Sequence, residues 1–258
     1  MNVLSRLTVR HIFDKIGKLS IFSARFFAAV LRPPFETKEL IKQTYEVGVR
    51  SFGLVAIVGI VIGAVLTMQS RPTMIKFGAE AFIPAMVATS VLRELSPVLI
   101  SVIVAGRVSA GIGAELGSMR VTEQIDAMEV AALNPFNYLV VTRVLACMIA
   151  LPLLTVYADF LALFGSFLVQ NIEAGMSGSL FYHTVISSIT FVDFAPGVFK
   201  TIFFGFIMGI VGCYEGYNSE GGTEGVGRSA TNAVVVSSLL IILVDVLAVK
   251  LTVFFFES

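Results

Sequence analysis

Hydrophobic residues in this chain are concentrated in five long runs that have no polar period. The runs cover approximately Val49–Met68, Phe82–Ala105, Val144–Val169, Phe194–Tyr214 and Ala233–Phe256. A helix needs roughly 20 apolar residues to cross the hydrocarbon core of a bilayer, and each run is long enough. Strands of a membrane barrel would alternate apolar and polar residues, which these runs do not do. The pattern predicts an all-α integral membrane protein with five transmembrane helices.

The N-terminal region has an amphipathic pattern instead. Between Leu4 and Leu31, apolar residues crowd one side of a helix and a basic stripe occupies the other. The stripe consists of Arg6, Arg10, Lys18, Arg25 and Arg32. Such a helix suits the membrane interface, with its cations at the lipid phosphates, whereas a further transmembrane span would bury all five cations. Two prolines then end this helix, and a second amphipathic stretch, Glu36–Val47, leads into the membrane.

Lys and Arg residues are distributed unevenly between the two sides of the predicted bundle. Thirteen of the 18 lie in the N-terminal region and in the loops 106–143 and 215–232, all on one side. Because cytoplasmic loops are enriched in basic residues, we predict a cytoplasmic N-terminus and an external C-terminus. We therefore divide the chain into N-terminal interfacial and elbow helices (1–48) and a five-span domain (49–258).

The composition supports a lipid environment. The chain is 56% hydrophobic and 14% charged, whereas soluble domains carry about 25% charged residues. Its 18 basic residues balance 18 acidic ones without a basic block, which argues against nucleic-acid binding. Cys147 and Cys213 both lie in apolar runs, so neither a disulfide framework nor a metal site is expected.

Sequence motifs for catalysis are absent. No phosphate-binding loop is present, and the two histidines, His11 and His183, are far apart. Neither a zinc protease nor a histidine-based triad is therefore expected. We predict a non-enzymatic chain that binds no metal or cofactor, so work against a gradient requires energy from another subunit.

We single out five ionisable residues inside the apolar runs, namely Arg93, Glu94, Asp159, Asp245 and Lys250, and assign Lys200 to the edge of the fourth span. Charges at membrane depth are unfavourable unless paired or hydrated, so they mark functional sites, with interhelical pairing as the structural alternative. Adjacent helix positions diverge by about 100°, so Arg93 and Glu94 do not simply neutralise each other.

The loop Gly106–Pro135 carries a second polar pattern. Its polar stripe predicts a helix over about residues 114–133 and comprises Glu115, Thr122, Asp126 and Glu129. A solvated helix covering the bundle is the structural alternative. Because anionic lipid repels acidic groups, a protein partner that offers Arg or Lys fits this stripe better than a membrane surface.

Four motifs closely resemble the MlaE/YrbE permease family. They are Leu92–Leu99, Ala105–Ala110, Ala114–Glu129 and Gly221–Thr231. Members of the family are transmembrane subunits of ABC transporters that move phospholipids between envelope membranes. The resemblance implies a homodimer in the bacterial inner membrane, or alternatively in the chloroplast inner envelope. It also implies a cytoplasmic ATPase subunit that carries ATP and Mg, and a periplasmic ring of MCE-domain lipid-binding proteins.

Under this interpretation the acidic helix sits in a groove of the ATPase. The residues expected to couple the two subunits are Glu115, Arg120, Glu123, Asp126, Met128 and Glu129. We also expect two equal chains to meet along the fifth run, Ala233–Phe256.

A phospholipid site needs a cation beside apolar walls. We expect Arg93 to supply it, since a guanidinium can bind phosphate through two hydrogen bonds. Glu94 would hold Arg93 when the site is empty, and an Arg93–Asp245 pair is the structural alternative. The expected walls are Leu66, Met74, Phe77 and Leu95.

Two other classes of function stay open from the residues alone. An ion-coupled secondary transporter would use Asp159, Asp245 and Lys250 as a relay. It would also be expected to contain an internal repeat, and the sequence shows none. A structural anchor that only holds a lipid-binding ring is the third interpretation.

Overall fold

The computed structural model describes residues 3–31, 33 and 35–256. This part of the chain contains ten α-helices and no strand, which confirms the all-α prediction. The helices are α1 (Val3–Val30), α2 (Thr37–Gly48), α3 (Phe52–Lys76), α4 (Ile83–Ser90), α5 (Ser96–Val121), α6 (Gln124–Val130), α7 (Thr142–Ala174), α8 (Gly178–Ser188), α9 (Phe191–Tyr217) and α10 (Gly222–Phe256). Arg32 and Pro34 lie outside the described residues, as do the side chains of Arg6 and Arg10.

Five helical stretches are long and apolar enough to cross a membrane, as the sequence predicts. They are Thr37–Lys76, Glu80–Val121, Phe136–Ala174, Phe191–Tyr217 and Gly222–Thr252. Each is longer than its hydrophobic run because polar residues continue the helix. Successive spans alternate in direction, so α1 and α6 belong to one end of the bundle and α8 to the other. We call these ends the α1 side and the α8 side.

The α1 helix is not among these five stretches and packs against the α1-side end of α9. Its Phe22 ring lies 5.1 Å from the ring of Phe136 and 5.6 Å from that of Tyr214. Arg25, a member of the predicted basic stripe, lies 4.3 Å above the Phe136 ring. Part of the stripe therefore contacts protein, and the interfacial position of α1 stays a prediction.

Glycines permit the closest contact between α3 and α7. Gly59 and Gly63 face the backbone of Ala158 and Ala162, and Gly165 faces the backbone carbonyl of Ile60. A Cβ at Gly63 or Gly165 would overlap the opposing carbonyl group. The small-residue face of the first span is therefore a packing surface for the third span, as such faces commonly are in membrane bundles.

Replacing Gly63 with Ala should push α3 and α7 apart and lower the thermal stability of the purified protein. Overpacking of a tight contact costs about 1–3 kcal/mol. Gly53→Ala in the same helix is the matched control, because no atom lies within 4 Å of its Cβ position. Thermal unfolding in detergent compares the two variants, and equal transition temperatures would contradict the packing.

Candidate functional site

A π-helical turn, Val91–Leu95, interrupts the second span. The Ser96 N–H donates to the carbonyl five residues earlier, rather than four as in an α-helix. In the same hydrogen-bond pattern the next residue, Pro97, would donate to the Leu92 carbonyl, but proline has no N–H. That carbonyl faces Gly197 of α9, where a Cβ would overlap it. The wide turn and the glycine let α9 pack directly on the second span.

Two ion pairs connect this π turn with α9. Arg93 Nε donates to Asp193 Oδ1 at 2.5 Å, and Lys200 Nζ donates to Glu94 Oε2 at 2.5 Å. Lys200 also donates to Oδ1 of Asp245 in α10, at 2.9 Å. These five residues, which we call the charged network, join the second, fourth and fifth spans.

Burial makes the charged network expensive to disrupt. The side chains of Asp193 and Lys200 are 7% and 8% exposed, whereas Arg93 and Glu94 are partly exposed. Asp193 also accepts hydrogen bonds from the backbone N–H and the hydroxyl of Thr190, which caps α9. Two carboxylates reach Lys200, so the buried cation has its counter-charges within hydrogen-bond distance.

The sequence alone identifies only part of this network. Arg93, Glu94 and Asp245 stand out in it as ionisable residues at depth, whereas Lys200 is assigned to a span edge and Asp193 is missed. Their seven-residue spacing on one face of the fourth span is the signal that identifies both. The alternative pairing of Arg93 with Asp245 is wrong. Arg93 pairs with Asp193, and Asp245 accepts a hydrogen bond from Lys200.

An apolar groove of about 810 Å³ lies between α9 and α10. Its walls include Phe199, Phe203, Val244 and Leu247. Among the described residues that line it, Lys200 is the charged one. The groove is therefore apolar along almost all of its wall, while the Lys200 ammonium is held by Glu94 and Asp245.

The predicted walls do not line this groove. Leu66 and Met74 pack in a cluster with residues of α4 and with Val91 of the π turn, and Phe77 is 79% exposed after the end of α3. Leu95 belongs to the π turn and is half-buried. Arg93 and Glu94 form their ion pairs with α9, and a role of the four wall residues in lipid binding stays a prediction.

The remaining intramembrane ionisable residues do not form a relay with Asp245. Asp159 is buried in α7, and neither of its carboxylate oxygens has a hydrogen bond within the described part of the chain. Lys250 is exposed, and the described residues give it no ion pair. Within the described residues, Asp159 and Lys250 therefore form no hydrogen bond or ion pair with Asp245.

The segment predicted as one helix over residues 114–133 is divided. Helix α5 continues to Val121, and the chain then turns at Glu123, whose φ of 59° is left-handed. Arg120 and Asp126 pair across this turn at 2.5 Å. The break moves Glu115 onto the second span, away from α6, because a left-handed residue cannot continue a right-handed helix.

Helix α6 turns its apolar face to the bundle. Ile125 is fully buried and Met128 packs against the core, so Met128 faces the bundle and not an external groove. Glu123, Asp126 and Glu129 are exposed.

Residues 40–251 match the family model described as Permease MlaE. The chain belongs to the MlaE permease family. Three relatives are described as probable ABC transporter permease proteins. The one from Rickettsia bellii is 39% identical over 97% of this chain and 96% of its own length. Those from Synechocystis sp. and Porphyra purpurea are each 34% identical, over 89% and 84% of this chain and 87% and 82% of their own lengths.

The region matched to the MlaE family contains the charged network, α6 and most of both helices that form the groove. This MlaE-family protein is therefore a membrane-spanning permease of an ABC transporter, a class of protein that implies a partner ATPase.

Replacing Lys200 with Met in the MlaE-family permease should strongly destabilise it, because Glu94 and Asp245 lose their shared cation. Removing one partner of a buried charge cluster costs about 3–5 kcal/mol. Neutralising both acids in addition, as Glu94→Gln and Asp245→Asn, should restore much of the lost stability. Thermal unfolding measures both effects.

The matched control is Lys76→Met, which removes an exposed cation. A Lys200→Met protein that unfolds at the temperature of the control would show that the charged network does not stabilise the bundle.

Proposed function

We propose that this permease moves phospholipids between envelope membranes, with energy from ATP hydrolysis on the partner ATPase. The groove between α9 and α10 carries the proposal because its walls are apolar and Lys200, a cation of the charged network, lies in one of them. A phospholipid likewise has an apolar part and a charged part. Its acyl chains require apolar contact, and its phosphate requires a cation or hydrogen-bond donors.

In the proposed cycle, acyl chains lie along Phe199, Phe203 and Leu247 while the phosphate approaches Lys200 and Arg93. Carboxylates hold both cations in this structure, so headgroup binding exchanges a carboxylate for a phosphate. The planar guanidinium of Arg93 is suited to bidentate contact, whereas Lys200 acts as a point charge. Glu94, once released, can meet an amine headgroup.

We place the ATPase contact on the α1-side loop that contains α6. Its exposed acids, Glu123 and Glu129, lie near Val130, which is 90% exposed. An apolar side chain beside acidic groups suits a groove that has an apolar floor and a basic rim. Under this assignment Glu123, Asp126 and Glu129 remain docking residues. Glu115 instead pairs with Arg143, and Met128 packs against the bundle core.

The proposed assembly is a homodimer in the bacterial inner membrane, with the chloroplast inner envelope as the alternative. Leu239, Ile242 and Val246 form an exposed apolar face on α10 that a second copy can cover. With the α1 side in the cytoplasm, a ring of MCE-domain proteins contacts the α8 side. Native mass spectrometry of the purified complex counts the subunits, and a single permease chain would contradict the dimer.

Filling the groove should expel the lipid without disturbing assembly. Ala248 lines the groove, so Ala248→Phe places a ring where an acyl chain is proposed to lie. We expect the complex to keep its ATPase but to lose most of its retained phospholipid, as measured by native mass spectrometry. Leu153→Phe, at a 65% exposed position of α7, is the control. Equal lipid content in both variants would remove the groove from the transport path.

Reversing charge on the α1-side loop should release the ATPase. Single rim charges contribute below about 1 kcal/mol, so two are changed together, as Glu123→Lys with Glu129→Lys. Both are exposed, and the Arg120–Asp126 pair is left intact. We expect loss of ATPase on copurification, while Asp14→Lys with Glu36→Lys on the same side retains it. Stoichiometric ATPase in the first variant would show that docking lies elsewhere.

A further inference from the structure

A buried arginine at the α1-side end of the third span holds Glu115. Arg143 Nη2 donates to Glu115 Oε1 at 2.7 Å, and Nη1 donates to the Leu139 carbonyl at 3.0 Å. Arg143 is 3% exposed, whereas Glu115 is about half exposed. Arg143 Nε has no hydrogen bond within the described part of the chain, so Glu115 supplies the carboxylate that neutralises this buried guanidinium.

The elbow helix α2 reaches the same place. Glu39 of α2 accepts a hydrogen bond from Tyr138, which lies in a second π-helical segment, Phe136–Val141, at the start of the third span. Arg143 acts electrostatically on Glu39 as well. The guanidinium therefore lies where α2, α5 and the start of the third span converge.

The Glu115–Arg143 pair closes the base of the α1-side loop. The two residues are 28 positions apart in sequence, and the intervening chain includes the turn at Glu123 and all of α6. Without the ion pair, the loop can change shape when α6 is displaced, and α5 and α7 need not move. With the ion pair, α5 and α7 are joined at the base of the loop and are displaced together.

Helix α5 extends this connection to the charged network. It has 26 residues, from Ser96 to Val121, and is about 39 Å long at the usual rise per residue. Its first residue directly follows the π turn that carries Arg93 and Glu94. A rigid helix therefore runs from the cross-linked loop to the network beside the groove.

We propose that Glu115 and Arg143 are positioning residues that transmit ATP-driven movement of α6 to the groove. This inference rests on the proposed docking of the ATPase at α6, but it assigns Glu115 a different role from docking. The ion pair keeps the ends of the second and third spans together, so that α5 shifts as a unit. Loss of the pair separates ATP hydrolysis from movement at the groove.

The test uses the permease–ATPase complex with Phe199→Cys, a cysteine in the groove. Both native cysteines of the permease are fully buried, so labelling by a soluble thiol reagent, read on the separated permease chain, reports on the introduced one. We expect ATP to change the labelling rate. Adding Glu115→Gln should reduce that change by about tenfold, on the scale of coupling between distant sites, while ATPase binding and hydrolysis persist. Arg143→Lys keeps the positive charge but loses the planar guanidinium that donates to both Glu115 and the Leu139 carbonyl. It should reduce the ATP-dependent change in labelling as well, but by less.

Glu46→Gln is the matched control, since Glu46 pairs with the exposed Arg50 at 2.7 Å on the elbow helix. It should leave the ATP response intact. If Glu115 only stabilises the fold, Glu115→Gln lowers the yield and unfolding temperature while surviving complexes keep the full response. That result, or a parent whose labelling does not respond to ATP, would overturn the proposal.

Lipid transport, measured on complexes that keep the native Phe199, separates this inference from the proposed function. A native complex that moves no phospholipid on ATP contradicts the proposed function. A native complex that moves lipid, together with a Glu115→Gln complex that moves the same amount per ATP, contradicts the coupling role alone.

Discussion

A lysine inside a transmembrane helix is the constraint on which the arrangement of this bundle depends. Lys200 is 8% exposed, and two carboxylates from other spans, Glu94 and Asp245, are needed to hold its charge in the interior. These two ion pairs determine which faces of the second, fourth and fifth spans meet. The π turn and Gly197 follow from the same requirement, because they bring α9 close enough for the ion pairs to form.

The same constraint connects stability with transport. A charged network that only stabilised the bundle would have no reason to border a large apolar groove, yet Lys200 lines that groove. Because the cations are already held by carboxylates, a phosphate can replace one counter-charge with another at little net cost in desolvation. The α3–α7 contact at Gly63 and Gly165 is a closely packed part of the bundle that does not line the groove.

Hydropathy predicts the five spans because a helix that crosses lipid must be apolar along its whole length, and such a run is visible in the sequence. It does not predict the site in full, since ion pairs between helices depend on which faces meet. Arg93 and Glu94 are recognisable as unusual at membrane depth. The spacing of Asp193 and Lys200 marks them as one helix face, but which residues they pair with is evident only once α9 is packed on the π turn. The break at Glu123 is invisible for a related reason. Its left-handed φ occurs in a glutamate and no glycine marks it, while the Arg120–Asp126 pair that spans the turn forms only once the chain has turned.

Photo-cross-linking gives the most direct test of a phospholipid in the groove between α9 and α10. A phospholipid with a photoreactive group at the end of one acyl chain is added to membranes that contain the permease–ATPase complex, and the adducts are mapped by peptide mass spectrometry. We expect adducts on Phe199, Phe203 and Leu247, with an intensity that changes on addition of ATP. Adducts confined to the exposed face of the third span, at Leu153 and Phe160, with none in the groove, would contradict this site.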